Sequence, residues 1–281
     1  MWAVFLARKK DDYLKYFGDF QLDETDAQHI RILLYGPINA GKSSFINAVE
    51  TILRGRMTAQ ALVGNDEFSF TTKYRTHKIR KEKPRTFYPF VFNDIMGLET
   101  GQRRGICVDD IKLAMTGHLK DGFEFNPQSP CKSTNPHYNK SPTLNDRTHV
   151  LVCVVPADKL SIISDEYLTK MKEVRLAARD LEIPQVAILT KIDEACPLVK
   201  ADINNVYKSK SVKELMEKLS VSVGVPLNCI FPVKNYHSEV CTDEKIEKLI
   251  LTALKQMIDF GEDFVNSCTS AGVQSVPQTV S

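Results

Sequence analysis

No Cys-x-x-Cys pair and no His/Cys cluster occurs in the chain, and its seven cysteines form an odd, scattered set. That excludes a closed disulfide framework and the commonest zinc spacings. Reduced thiols in the cytosol are the expected state, and Cys153, inside an apolar run, reads as a small core hydrophobe. No apolar run reaches the roughly 18 residues of a membrane-spanning helix. The apolar start from Met1 to Ala7 is too short for a secretory core, and Arg8, Lys9 and Lys10 follow it rather than precede it. No signal peptide is therefore expected, and the location is read as cytoplasmic. Charge of one sign is also lacking: 37 basic against 35 acidic side chains leave a net +2. No global field draws such a chain to nucleic acid or to an anionic membrane. A nucleic-acid partner is not expected, and any polyanion must be met locally. Internal repeats and heptads are missing as well.

The 281 residues are 43% hydrophobic and 26% charged, which fits one large α/β domain of ordinary globular type. Ile30 to Tyr35 is mostly apolar, as a strand buried on both faces should be. A Gly-rich loop follows at once, and then Phe45, Ile46, Val49, Ile52 and Leu53 recur at helical spacing. One exposed strand is predicted within Asp66 to Lys81, a turn at Lys81 to Pro84, and a second strand over Thr86 to Asn93. Central strands are predicted at His149 to Val155 and Gln185 to Leu189, with a helix over Asp165 to Leu181 between them. A last strand at Cys229 to Val233 precedes a helix over Thr242 to Phe264. Alternating strands and helices predict a three-layer α/β fold with a mostly parallel central sheet. Asn126 to Arg147, with four prolines and almost no apolar residue, reads as a long surface excursion or mobile loop. The domain reading is a 1–24 extension, a 25–265 P-loop domain with an insertion at 126–147, and a disordered 266–281 tail.

Three motifs carry the chemistry. Gly36-Pro37-Ile38-Asn39-Ala40-Gly41-Lys42-Ser43 places a tight turn at the N-terminus of a helix, so that backbone N–H groups and the helix dipole face one point. A di- or triphosphate fits there, gripped by Asn39, Ala40, Gly41, Lys42, Ser43 and Ser44. Lys42 would bridge the terminal phosphates, and Ser43 would complete a Mg²⁺ shell. Asp94-Ile95-Met96-Gly97, ending the next apolar strand, would hold the metal through Asp94 and touch a γ-phosphate through the Gly97 N–H. Thr190-Lys191-Ile192-Asp193 follows a strand directly. Its carboxylate can accept two hydrogen bonds that guanine offers and adenine does not, while the Lys191 stem covers the purine. A P-loop kinase or ATPase has no use for that third motif. Thr71 or Thr72 lies where a mobile segment should supply a threonine to metal and γ-phosphate; Thr71 is favoured. Lys234 and Asn235, after the last strand, could offer a backbone N–H to the guanine O6, although a plain strand exit is the bland alternative.

The order of these motifs resembles the translation-factor and Ras-type GTPases. Gly36 to Phe45, Gln60 to Gly64, Lys73 to Thr76, Asp94-x-Met96-Gly97-Leu98, Phe125 to Pro127 and Asn235-Tyr236 resemble, more narrowly, the interferon-induced protein 44 family over about residues 25 to 265. That resemblance implies a cytoplasmic, interferon-inducible GTP-binding protein with an antiviral or antiproliferative role, taking GTP or GDP with Mg²⁺. It also implies that an additional N-terminal domain of longer members has no counterpart here. Where Ras-type enzymes carry a water-orienting glutamine, this chain has Leu98, which can neither donate nor accept a hydrogen bond. Slow hydrolysis is expected, with turnover dependent on a group delivered from elsewhere, such as a second copy of the chain; Arg103 and Arg104 are candidates, against the plainer reading of charged surface loops. The rival is a scaffold that holds GTP without turnover. Dynamin-like membrane work is disfavoured for want of a long stalk; the apolar start (Trp2, Val4, Phe5, Leu6) is open to lipid or partner binding, with a strand or helix tucked onto the domain the favoured reading.

Overall fold

The computed structural model describes residues 9–22, 27–58, 71–101 and 104–273, with side chains as far as 269. The stretches Trp2 to Leu6 and Gln60 to Gly64, together with Arg103, lie outside the described residues. In chain order the elements are α1 (Lys10–Asp19), β1 (Ile30–Tyr35), α2 (Lys42–Arg54), β2 (Arg75–Arg80), β3 (Phe87–Asp94), α3 (Val108–Met115), β4 (Val150–Pro156), α4 (Asp165–Asp180), β5 (Gln185–Thr190), the short α5 (Ile192–Ala195) and α6 (Pro197–Ala201), α7 (Lys210–Val223), β6 (Ile230–Pro232) and α8 (Glu244–Val273).

Among the described residues the strands form one six-stranded sheet in the order β2-β3-β1-β4-β5-β6. Only β2 runs antiparallel to its neighbour. The register sets Leu34 beside Asp94 on one side and Val152 on the other. All seven residues of β4 are buried, as a central strand covered on both faces requires. On one face α2 and α8 pack together, and α8 also crosses β1, β4 and β6; α3, α4 and α7 form a contiguous row. The fold is a three-layer α/β fold with a mostly parallel sheet, as the alternation of elements predicts.

Three stretches differ from the sequence expectation or add to it. The last helix continues past Asn266 to Val273 instead of giving way to a disordered tail. Its polar end is helix-compatible because Ser267 Oγ and Thr269 Oγ1 donate back to the Phe264 and Val265 carbonyls, while Val265 is fully buried. Residues 274–281 lie outside the described residues. The 126–147 excursion has almost no regular structure yet is tied down. Asn139 donates to the His118 carbonyl, His118 Nδ1 bonds the Asn139 carbonyl, and the Tyr138 ring stacks on His118 at 5.0 Å. Asn126, Asn135 and Asn139 each accept from the backbone N–H two residues on, which gives the loop its own turns in place of a hydrophobic face. Within the N-terminal extension, α1 docks on α8 through Tyr13 to Thr252, Tyr16 to Asp259 and Lys10 to Glu247.

Candidate functional site

The site lies at the carboxyl ends of β1, β3 and β5, where the strand-loop-helix sequence of β1 and α2 begins it. At Gly36 the backbone passes so close to β4 that a Cβ would collide with the Val154 carbonyl oxygen. Gly41 caps α2 in the left-handed region, φ 88°, which glycine enters without steric cost. Lys42 therefore starts the helix with its side chain turned under the loop. Its ammonium is buried and donates to the carbonyls of Pro37 at 3.0 Å and Gly36 at 3.3 Å. Burial lowers its pKa, and Asp94 nearby opposes that shift. Ser43 Oγ donates to Asp94 Oδ2 at 2.5 Å, and Thr71 Oγ1 to the same oxygen at 3.4 Å. Thr72 is exposed. The other carboxylate oxygen of Asp94, Oδ1, is buried without a hydrogen-bond partner. An unsatisfied anionic oxygen beside a serine and a threonine hydroxyl fits a divalent cation, which takes hard oxygen ligands.

The segment after Asp94 is clamped onto the phosphate loop. Leu98 N–H donates to Gly36 O and Ile38 N–H to Leu98 O, while a Cβ on Gly97 would stand 2.8 Å from Ile38 N. The Leu98 side chain is fully buried. At the opposite end, Thr190 Oγ1 donates to Ala40 O at 2.6 Å and Asn235 Nδ2 to Gly41 O at 3.1 Å, joining the third motif to the first. Lys191 adopts φ 56° ahead of α5, and that turn carries Asp193 toward the same mouth. The Asp193 carboxylate lies 3.5 Å from Lys234 Nζ, and Lys234 also pairs with Glu239 at 2.8 Å. Burial pushes the Glu239 carboxyl up, but the His237 amide and the Lys234 ammonium outweigh it and hold it at about 2.

Asn39, Ala40, Gly41, Lys42, Ser43 and Ser44 thus lie on one turn with Asp94, Gly97 and Thr71 beside it, and Thr190, Lys191, Asp193, Lys234 and Asn235 form the neighbouring wall. Sequence reasoning missed the Asp193-Lys234-Glu239 relay and the role of the Asn235 side chain. No motif announces them, since Glu239 sits in a loop whose charge pattern resembles any solvated surface. The strap through Leu98 was also missed, because backbone pairing between two loops leaves no periodicity to read.

Strand order, phosphate loop and the two strand-end motifs together define a P-loop α/β protein with a G-domain arrangement. No family model matches the chain. The chain is 36% identical over 238 residues to interferon-induced protein 44 of Homo sapiens and of Pan troglodytes, covering 85% of this chain and 53% of each relative. It is 34% identical over 236 residues to human interferon-induced protein 44-like, covering 84% of this chain and 52% of that protein. Over that stretch the chain belongs to the interferon-induced protein 44 family, and it spans about half the length of these curated relatives. Among solved structures, Toc33 from Arabidopsis thaliana in complex with GDP and Mg²⁺ superposes with a TM-score of 0.49 at 13% identity, covering 96% of this chain and 98% of that one. A probable GTP-binding protein engB gives 0.44 at 16% identity, over 84% and 99%.

Proposed function

We propose that this chain binds GTP and GDP with Mg²⁺ and acts as a slow GTP-dependent switch in the interferon-induced antiviral response of the cytoplasm. The observation that carries the reading is Asp94: Ser43 fixes one carboxylate oxygen, the other is buried without a partner, and the Lys42 ammonium lies beneath the same loop. Lys42 and the amides of Asn39 to Ser44 would hold the phosphates, and Ser43, Thr71 and Asp94 would hold the metal. Asp193 would select guanine once released from Lys234, and a bound metal would supply charge neutralisation at the terminal phosphates. Residues 25–265 are taken as the binding unit, and a second copy of the chain is a candidate partner. The interferon connection rests on the names of the relatives.

Isothermal titration with GTP, GDP and ATP in the presence of Mg²⁺ tests the proposal. Lys42→Ala should weaken both guanine nucleotides. Asp193→Asn should lose about 1.5–3 kcal/mol of guanine preference, the worth of a charged hydrogen bond. Absence of heat from GTP on folded protein would end the reading.

The position of Leu98 favours a second reading, in which GTP is held without turnover. Its side chain is in the core and its backbone is fixed on both sides by the phosphate loop, so no group there can orient water. Leu98→Gln should cost about 1–3 kcal/mol through a buried unsatisfied amide and leave single-turnover hydrolysis unchanged. A faster rate in that variant would show that the side chain reaches the phosphate.

A further inference from the structure

The near-zero net charge of the chain conceals a strong local imbalance. Between Arg75 and Tyr88, the β2–β3 hairpin carries Arg75, Lys78, Arg80, Lys81, Lys83 and Arg85 against the single acid Glu82, a net +5 in a chain of net +2. Among the described residues none of the six cations lies within 4.0 Å of a carboxylate. All but Lys81 are exposed.

Thr76, Lys78 and Arg80 alternate along one face of β2, and that face borders a cleft of about 480 Å³ lined by His29, Arg31, Lys78, Arg80, Phe87 and Asp121. The Arg31 guanidinium donates to the Asn145 carbonyl and to Asn93 Oδ1 and bonds His29 Nε2, with the Tyr74 side chain and the Asp146 carboxylate also interacting with it. Those bonds fix its charge at the cleft. Asp121, the lone acid of the cleft, accepts the Thr76 N–H. Beside these cations the Phe87 ring is 42% exposed, with Lys78 Nζ 6.0 Å from its centroid. The burial of His29, reinforced by Arg31, His149 and Lys78 and opposed by Asp146, lowers its pKa to about 3.

We infer that the β2–β3 hairpin and its cleft bind single-stranded nucleic acid, with phosphodiesters on Lys78 and Arg80, the charge of Arg31 in the same cleft, and a base on the Phe87 ring. A groove of unpaired cations that tracks a backbone, with an aromatic face beside it, is the physical requirement for a single strand. A flat anionic bilayer would meet the outer lysines and the ring but would not follow the cleft in to Arg31. The surface is separate from the phosphate loop, since it lies on the outer edge strand of the sheet and shares no lining residue with the nucleotide site.

Fluorescence anisotropy of the full chain with a labelled oligouridylate and oligothymidylate tests the inference. Affinity should fall between about 50 and about 200 mM salt with a log-log slope near −2, about −0.7 per phosphate for three cations. Lys78→Glu with Arg80→Glu should weaken binding at least about tenfold, and Phe87→Ala about tenfold by loss of stacking. Both variants should keep the thermal unfolding profile and the GTP response of the parent, and saturating GTP should not displace the oligonucleotide. Equal binding by parent and double variant overturns the inference, as does displacement by GTP. Capture by phosphatidylserine vesicles with no oligonucleotide binding overturns it in favour of a membrane.

Discussion

Lys42 sits in a conflict that only a ligand resolves. Its ammonium is buried against two carbonyl oxygens, with its pKa lowered by burial, so the free protein carries an incompletely solvated charge. Lys42→Met should therefore stabilise the nucleotide-free chain, on the order of 1 kcal/mol, because a buried charge is exchanged for an apolar stem of similar length. On the proposed function, GTP and Mg²⁺ should raise the melting temperature of the parent, and the same change should abolish that rise. Differential scanning calorimetry with and without nucleotide measures both, and a variant that retains the ligand-induced rise would remove Lys42 from the binding role. The identity of this lysine was legible from the sequence, because spacing after a strand and before a helix is enough to assign it. Its partners were not legible, since the carbonyls it bonds belong to every residue type.

At the scale of elements, α8 is the brace of the sheet. It packs against β1, β4 and β6 of the sheet and against α1 and α2, and its Ile250, Leu254, Met257, Ile258 and Val265 are fully buried. Gly261 lies where this helix comes closest to the sheet, and a Cβ there would collide with Ile30 Cγ2 and stand 3.1 Å from Val150 Cγ2. Gly261→Ala would gain helix propensity on an isolated helix, but here overpacking wins. A loss of about 1–3 kcal/mol is expected in urea unfolding. An unchanged or raised midpoint would mean that α8 can lift from β1 without cost. Helical periodicity made the apolar stripe of α8 readable in advance. Its true end was not, because Ser267 and Thr269 read as loop residues until their hydroxyls are seen bonded to the preceding turn.

For the whole molecule, buried titratable groups set the response to acid. Burial lowers His29 to about 3 and His149 to about 4, from 6.5. His149 accepts the Arg31 N–H on Nδ1 and bonds the Leu144 carbonyl through Nε2, which fixes its neutral form. Both groups take up protons in the unfolded chain first, so the stability they contribute is complete above pH 6.5 and is lost as pH falls toward 4. Asp110 acts in the opposite sense. Burial raises it to about 6 from 3.8, so the folded chain binds its proton first, and its destabilising effect is largest above pH 6. Two imidazoles outweigh one carboxyl, and the melting temperature should fall from pH 7 to pH 4.5, by a few kcal/mol of stability. Asp110→Asn should gain most over the parent at pH 7.5 and less at pH 4.5, between the two pKa values, which steepens the fall. Thermal unfolding across that range measures it, and a variant with the parent's slope would show that Asp110 does not titrate as described.

The sequence by itself determined the alternation of strands and helices, the phosphate loop, and the carboxylates at two strand ends, because periodicity and short spacings are local properties. It also contained the basic hairpin, though the balanced total hid it. Only the tertiary structure decided that Leu98 straps the loop from behind, that Lys234 holds Asp193 with the help of Glu239, and that Arg31 lines the same cleft as Lys78 and Arg80 of β2. Those are contacts between residues far apart in the chain, and their distances follow from how the layers pack rather than from any order of residues.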